Sequence, residues 1–541
     1  MNGRAPAVLL SINFNHDGAA VVLREGEIAG FVCTERYSRF KKHPGLREAD
    51  LDELLDQAGI TVADVDHVLL CNLHNMDSPD IRALHGSDLK DTWLEFWVNQ
   101  RNDRVRLRGR DIPCTVNPDH HLIHAAAAYY TSPFDSAVAV AIDPLGCRAF
   151  LGEGGMLIPL DRGYDSWFTA NIAYTYAAEH LFGSSIVGAG KVMGLAPFGQ
   201  VDGGAAVDWK GMTTFQDLLA FASTAPTTVE VAGKPLNATL AYYVQLGLEH
   251  QLAAVFSDLE EVCRASGIRP NLCLSGGTAL NAVANQLCFT RSGFERLHLH
   301  PACGDDGTAI GAALWYWHHV LRKPRVQHSP ADLMYGRRTY TEQAVAAAVR
   351  SAVDADPSLL VTVTGDHAGV AADLVADGAT VGWFDGAAEV GPRALGHRSI
   401  VADPRSPTVR DHLNSRVKFR EHFRPFAPAV LNEHAAEWFG LADSPFMLRA
   451  CPVLRPDVPA ITHVDGTSRI QTVTAEDNGS FHTLLTRFAA RTGVPLVVNT
   501  SLNTRGTPID ETPADALNTL LTTGLDALAF PGVVVRKAGR P

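Results

Sequence analysis

Apolar residues from position 7 onward run as AVLLSINF, then AAVVL, then IAGFVC, broken by the polar turns NHDG and REGE. Short β-type runs separated by turn residues predict three strands of a meander. A weaker echo follows at 136–160, SAVAVAIDPLGCRAFLGEGGMLIPL, where an apolar strand again ends in an Asp and a Gly-bearing turn and then resumes. Two similar lobes imply a duplicated α/β domain with a cleft between the copies. Residues 239–266 carry apolar positions at helical spacing and stop at GIRP; the strand NLCL, the turn SGGTALN and the helix AVANQLCF come next. The Pro-rich, basic segment 321–343 separates GAALWYWHHVL from a new helix, AVAAAVRSAV. A domain boundary is expected there, with strands of a second α/β unit near ATVGWFDG, PLVVNTS and GVVVRK.

Composition narrows this picture. A chain of 541 residues exceeds one ordinary core, so several domains are expected. Its formal charge of −13 argues against a partner that is mainly phosphate backbone, because such binding draws its affinity from Lys and Arg. Nine cysteines are scattered without a C-x-x-C pair, which indicates neither a disulfide framework nor a zinc ribbon and suits the reducing cytoplasm. The first residues form no signal-like apolar stretch and no later run approaches a membrane span, so neither export nor membrane attachment is expected.

Candidate chemistry starts at NPDHHLIHAAAAYY, residues 117–130. His120 and His124 stand four apart in a segment of helical alanine content, so they share one helix face, a spacing that suits chelation. His121 is expected to point elsewhere. Two imidazoles do not make a metal centre, but Asp143 at a strand end and Asp305 or Asp306 in CGDDG could complete one for iron(II), manganese or zinc. Turn and helix-capping roles compete for each Asp. The glycine pair Gly276–Gly277 fits a nucleotide at a helix N-terminus or, equally, a tight turn.

Taken in order, NHDGAAVVL, ERYSRFK, HHLIHAAAAYY, GKVMGLAPFG, LSGGTALN, CGDDGTAIGAAL, GAAEVGPRALGHRSIVADPR, LNSRVKFREHFRPFAP, HVDGTSRIQTV and GVPLVVNTSLNTRGTPI span nearly the whole chain. This set resembles the ATP-dependent O-carbamoyltransferases of antibiotic and nodulation-factor biosynthesis. The resemblance implies an N-terminal actin-like domain over 1–334, with duplicated RNase H-like lobes similar to the tRNA threonylcarbamoyl transferase (TsaD-like). A YrdC-like α/β domain over 335–541 would follow, its last residues packing back on the first. It also implies a two-stage reaction. ATP and carbamoyl phosphate, with Mg2+, give carbamoyl adenylate and pyrophosphate in the C-terminal domain; the carbamoyl group then passes to a substrate hydroxyl in the N-terminal one, beside bound Fe(II) or another divalent metal.

Carried over by motif, the metal ligands would be His120, His124, Asp143 and Asp305, with Asp306 capping or orienting its helix. Lys41, Gly276, Gly277 and Asn281 would contact the carbamoyl adenylate. His16 would take the hydroxyl proton, as a neutral imidazole can near working pH. Holding carbamate and a triphosphate together needs cationic donors, and Arg393, Arg398, Lys418, Arg420 and Arg424 supply five in stretches too apolar for a free basic face. Asn499, Ser501 and Asn503 would read the carbamoyl group or ribose. One departure stands out: the second-lobe turn is DPLG, where Pro144 removes a backbone donor toward phosphate. The implied partner is a small-molecule acceptor, a sugar hydroxyl on a glycosylated natural product, with no nucleic acid. Competing readings are tRNA carbamoyl transfer and a nucleotide-binding scaffold without turnover.

Overall fold

The computed structural model describes residues 7–73, 96–99, 103–200, 215–224 and 226–539, and it is mixed α/β. The first meander is present as Val8–Asn13, Ala19–Arg24 and Glu27–Cys33, all antiparallel. His67–Cys71 and Arg110–Val116 extend it in parallel from the far side of Val8–Asn13, and Arg104–Leu107 and Phe96–Asn99 complete a seven-stranded sheet. The echo in sequence repeats that topology. Ser136–Asp143, Gly146–Glu153 and Met156–Leu160 form the second meander, and Asn271–Ser275 and Arg296–Leu299 add in parallel.

Strand periodicity explains how both lobes share one interior. Along Ser136–Asp143, Ala137, Ala139 and Ala141 pack toward the space between the sheets, whereas Val138, Val140 and Ile142 pack toward the outer helices. Two helices, His120–Thr131 and Thr308–Trp315, fill the space between the sheets. They approach so closely that a Cβ on Gly311 would lie 1.8 Å from the Ile123 carbonyl oxygen. The alanine run of the first helix therefore serves packing, since larger side chains would force the helices apart.

The third sheet has nine strands in the order Leu360–Val363, Val533–Arg536, Ala527–Phe530, Val381–Phe384, Arg398–Ala402, Leu496–Ser501, Ala427–Leu431, Thr467–Val473, Arg449–Pro452. Trp383, Phe481, Phe488 and Phe530 anchor its core. The last described strand, Val533–Arg536, pairs inside this sheet with Leu360–Val363 and Ala527–Phe530. Phe423, Phe446, Met447 and Leu448 leave this unit to join the core of the second lobe. Polar clasps add to that contact: Arg39 Nη2 donates to Asp510 Oδ1 at 2.6 Å, and Asn285 Nδ2 to the Leu448 carbonyl at 3.0 Å. No single described helix is long and apolar enough to cross a membrane.

Candidate active site

Three chain segments converge at the end of the interlobe helices. Asp119 caps Leu122 N at 2.8 Å and so starts the helix His120–Thr131 with His120 and His124 facing one way. Asp143 ends its strand opposite the first turn of that helix, and Asp305 opens the 3-10 turn Asp305–Gly307 that leads into Thr308–Trp315. One donor atom from each of His120, His124, Asp143 and Asp305 lies within 4.8 Å of the others. His120 Nε2 is 2.6 Å from Asp143 Oδ2, and His124 Nε2 is 3.2 Å from Asp305 Oδ1.

Two buried carboxylates beside two imidazoles are a donor set that calls for a cation, because paired buried acids carry uncompensated charge. His120 fits that role in a second respect: its Nδ1 lies 2.9 Å from Asn72 Oδ1, an acceptor that favours a proton on Nδ1, so that Nε2, which faces Asp143, is the nitrogen that would ligate. Burial works against ionised Asp143, yet the hydrogen bonds from His120 and His121 outweigh it and hold the carboxyl well below its ordinary range. Burial likewise opposes charge on Asp305, and His124, His120 and His16 together bring its carboxyl down.

His121 departs from expectation. Its Nε2 lies 3.2 Å from Asp143 Oδ1, so it grips the oxygen that His120 does not. The reason is positional: Asp143 faces the first helical turn end-on, where consecutive side chains can both reach it.

The residues that sequence reasoning missed are asparagines. Asn13 Nδ2 donates to the carbonyls of Asp17 and Asp305 at 2.8 and 3.0 Å, and Asn15 Nδ2 donates to Asp305 Oδ2. Asn72 Nδ2 donates to Asn13 Oδ1 at 2.8 Å, and Asn171 Nδ2 donates to the Asp143 carbonyl. All four are buried. Their signal in sequence was faint. Asn13 and Asn15 sit in NFNHDG at a strand end, and Asn72 follows another strand with φ +59°, a left-handed conformation that Asn tolerates.

His16 belongs to the same network. Its Nδ1 lies 3.0 Å from Asp17 Oδ2 and its Nε2 is 3.8 Å from Asp305 Oδ2. Burial disfavours its protonation, but Asp17 and Asp305 outweigh that and raise its pKa. Lys42 Nζ holds both Asp17 oxygens at 2.7 Å.

The glycine pair divides its work. Gly276 has φ +88°, and a Cβ there would sit 2.2 Å from the Ile142 carbonyl oxygen, so the turn is pressed against the strand that ends in Asp143. Around Gly277 the Cβ position is open. Asn281 is committed elsewhere: its Oδ1 caps Ala284 N at 3.0 Å and its Nδ2 donates to Gln245 at 2.8 Å. In the DPLG turn the Leu145 amide donates to Asp143 Oδ1 at 2.7 Å, so that donor orients the acid.

A second cluster is cationic. Burial and the Arg424 charge push Arg393 down to about 10. Burial, Arg420, Lys41 and Arg424 push Lys418 well below its ordinary value. Arg469, unassigned from sequence, is depressed by burial and by Arg393, Arg420 and Arg424. Buried cations that repel one another are suited to an anion of several charges. Lys418 Nζ also donates to Asn503 Oδ1 at 2.6 Å and Ser501 Oγ at 3.2 Å, which ties those expected residues to the cluster. Asn499 Nδ2 bonds Gln471 and the Ala394 carbonyl instead.

Arg398 is not brought into this cluster. It lies 3.5 Å over the Phe384 ring and donates to the Asp385 and Gly386 carbonyls at 2.6 and 3.1 Å, a fully buried scaffold residue. Arg393 reaches the other way: its Nη2 is 3.4 Å from the Leu280 carbonyl in the SGGTALN turn. It thus stands where the third sheet's unit meets the second lobe.

With this geometry in view, comparison with known proteins gives concordant results. Residues 81–314 match the model of the carbamoyltransferase N-terminus, and residues 372–537 that of the carbamoyltransferase C-terminus. The chain is 31% identical to an uncharacterized Synechocystis protein over 98% of this chain and 96% of that one. It is 33% identical to the nodulation protein NolNO of Sinorhizobium fredii, covering 97% and 79% of the two chains. With NolO of Bradyrhizobium diazoefficiens the figures are 34%, 77% and 79%. Among solved structures, component A of the Acidaminococcus fermentans (R)-2-hydroxyglutaryl-CoA dehydratase aligns over 57% of this chain and 96% of its own, at 12% identity and a TM-score of 0.34.

Proposed function

The chain belongs to the carbamoyltransferase family, and from that premise we propose that it is an ATP-dependent O-carbamoyltransferase working in two stages at the two clusters. In the first stage, carbamoyl phosphate gives up its phosphate to water, a carbamate oxygen attacks the α-phosphorus of ATP, and pyrophosphate leaves. Arg393, Lys418, Arg420 and Arg424, with Lys41 and Arg469, neutralise the triphosphate and the departing pyrophosphate. Ser501 and Asn503 fix Lys418 in position. In the second stage the acceptor hydroxyl oxygen attacks the carbamoyl carbon, the carbon–oxygen bond to AMP breaks, and His16 Nε2 receives the hydroxyl proton.

His120, His124, Asp143 and Asp305 would hold a divalent ion, which when bound supplies positive charge for the oxygens that become anionic. Asp17, through Nδ1 of His16, keeps the accepting nitrogen of that ring turned toward Asp305. Domains divided near residue 334, TsaD-like and YrdC-like respectively, a cytoplasmic location and a sugar hydroxyl on a small molecule complete the reading.

One observation carries it most: a closed donor set of two imidazoles and two acids with an imidazole base 3.8 Å from one acid. A sensor that had lost turnover would have no need of both the base and the anion seat. The test is to incubate protein with ATP and carbamoyl phosphate and to look for carbamoyl adenylate by mass spectrometry. Arg393→Ala should abolish the adenylate, whereas His120→Ala should spare it and block transfer to an alcohol. Equal loss of adenylate in both variants would refute the division of labour.

A further inference from the structure

Arg36 has no part in either stage, yet it is buried to 3% exposure in the short helix Thr34–Ser38 of the first lobe. Its Nη2 donates to the Gly391 carbonyl at 2.7 Å, across to the loop of the third sheet's unit that carries Arg393. Nε and Nη1 make no hydrogen bond among the described residues, Nε lying 3.8 Å from Glu35 Oε1; Arg36 lines a cleft together with Glu389 and Glu511. Glu35 offsets part of the cost of burying this guanidinium, but it does not engage the Nη2 that reaches across to the loop.

The loop it touches is over-determined at every other point. Glu389 Oε1 accepts three backbone amides, Leu395 at 2.8 Å and His397 and Arg398 at 3.0 Å, closing the loop on itself. Its Oε2 makes no hydrogen bond among the described residues, and Glu389 lines the same cleft as Arg36. Val390 N donates to the Met334 carbonyl at 2.8 Å. A Cβ on Gly391 would lie 2.3 Å from the Pro301 carbonyl oxygen, in the segment that runs on to Asp305. Arg36 is therefore the one charged first-lobe side chain seen to donate to this loop among the described residues, two positions before Arg393.

We infer that Arg36 is a positioning residue: with Glu389 opposite, it sets the height of the Gly391–Arg393 segment between the lobes and so aims Arg393 into the anion seat. This rests on the proposed function only in taking Arg393 as a pyrophosphate ligand. A residue that acts through Arg393 loses its effect once Arg393 is gone, whereas one that only supports the fold keeps it.

The experiment is a double-mutant cycle on the full chain, with inorganic pyrophosphate as the probe and affinity read by calorimetry. Arg36→Met should weaken pyrophosphate binding by about tenfold, the scale of one charged hydrogen bond. Arg393→Ala should weaken it at least as much, and the double variant should match Arg393→Ala alone. Arg36→Lys, which keeps a donor but not the fork, should lose less than Arg36→Met. Should Arg36→Met fail to fold, Glu389→Gln carries the same cycle, because it keeps an oxygen for the three amides and removes the charge facing Arg36. Additive losses, or an unaltered affinity in a folded Arg36→Met, overturn the inference and leave the proposed function standing. Wild-type protein that binds no pyrophosphate refutes the proposed function itself, and the inference with it.

Discussion

Asn72 offers a direct test of how the candidate metal centre is held. Replacing it by glycine removes the side chain while tolerating its φ of +59°, so backbone strain does not enter the result. Three contacts go: the acceptor for His120 Nδ1 at 2.9 Å, the donor to Asn13 Oδ1 at 2.8 Å and a long donor contact to Thr308 Oγ1 at 3.5 Å. His120 Nδ1 is orphaned at a cost of about 1–3 kcal/mol of folding stability, whereas Asn13 Oδ1 keeps the Asn15 amide at 3.3 Å. The functional loss is separate. Without Asn72 the His120 ring is free to turn and to change tautomer, and removal of such a support lowers metal affinity by about 10–100-fold. Anaerobic calorimetric titration with iron(II) or manganese(II) measures this, alongside urea unfolding for stability. Asn72→Asp keeps an oxygen for His120 Nδ1 and should retain most of the affinity. The reasoning fails if Asn72→Gly binds metal as wild type does, or if Asn72→Asp loses as much as Asn72→Gly.

Three further outcomes are expected. Gly276→Ala drives a Cβ to 2.2 Å from the Ile142 carbonyl at a positive φ; a displaced SGGTALN turn should abolish activity and lower the melting temperature by many degrees, and a variant as stable as wild type would refute the close approach. Stability should fall on acidification partly through His300, fully buried with Nδ1 accepting from Ala302 N at 3.1 Å. Burial pushes its pKa down to about 4. The folded state thus binds fewer protons than the unfolded one between about pH 6.5 and 4, and stability is lost as pH falls through that window, by about 3 kcal/mol at most. His300→Asn, which keeps an acceptor for Ala302, should flatten that slope in denaturation curves measured across the window. Dialysis against a chelator, followed by assay with Mg2+ restored, should spare pyrophosphate release from ATP and carbamoyl phosphate but stop transfer to an alcohol, and added iron(II) or manganese(II) should restore transfer; loss of both stages with Mg2+ present would place the ion in the first.

Much of the architecture could be read along the chain. The paired meanders follow from alternation and turn residues, which act within a few positions, and the sheets built on Val8–Asn13 and Ser136–Asp143 repeat one topology. His120 and His124 were legible as a pair because four residues make one helical turn. Their carboxylates were legible only as candidates, Asp143 with Asp305 or Asp306, and the likeness to a family made the choice, since Asp305 lies 181 positions from His124 and nothing local ties them.

Other assignments turned on environment. Arg398 and Arg393 look alike in GPRALGHRS, but one sits inside a strand of the sheet and spends its donors on carbonyls, while the other projects from the loop toward the second lobe. His121 looked misdirected until the end of a distant strand was brought against the same helical turn.

Sequence by itself determined the strands, the helices and the kinds of group available for chemistry, because periodicity and turn preference are short-range. Tertiary structure alone decided which asparagines brace Asp143, Asp305 and His120, which arginines spend their donors on backbone carbonyls and which nitrogen of His16 faces Asp305, because these depend on burial and on partners that only folding brings within hydrogen-bond reach.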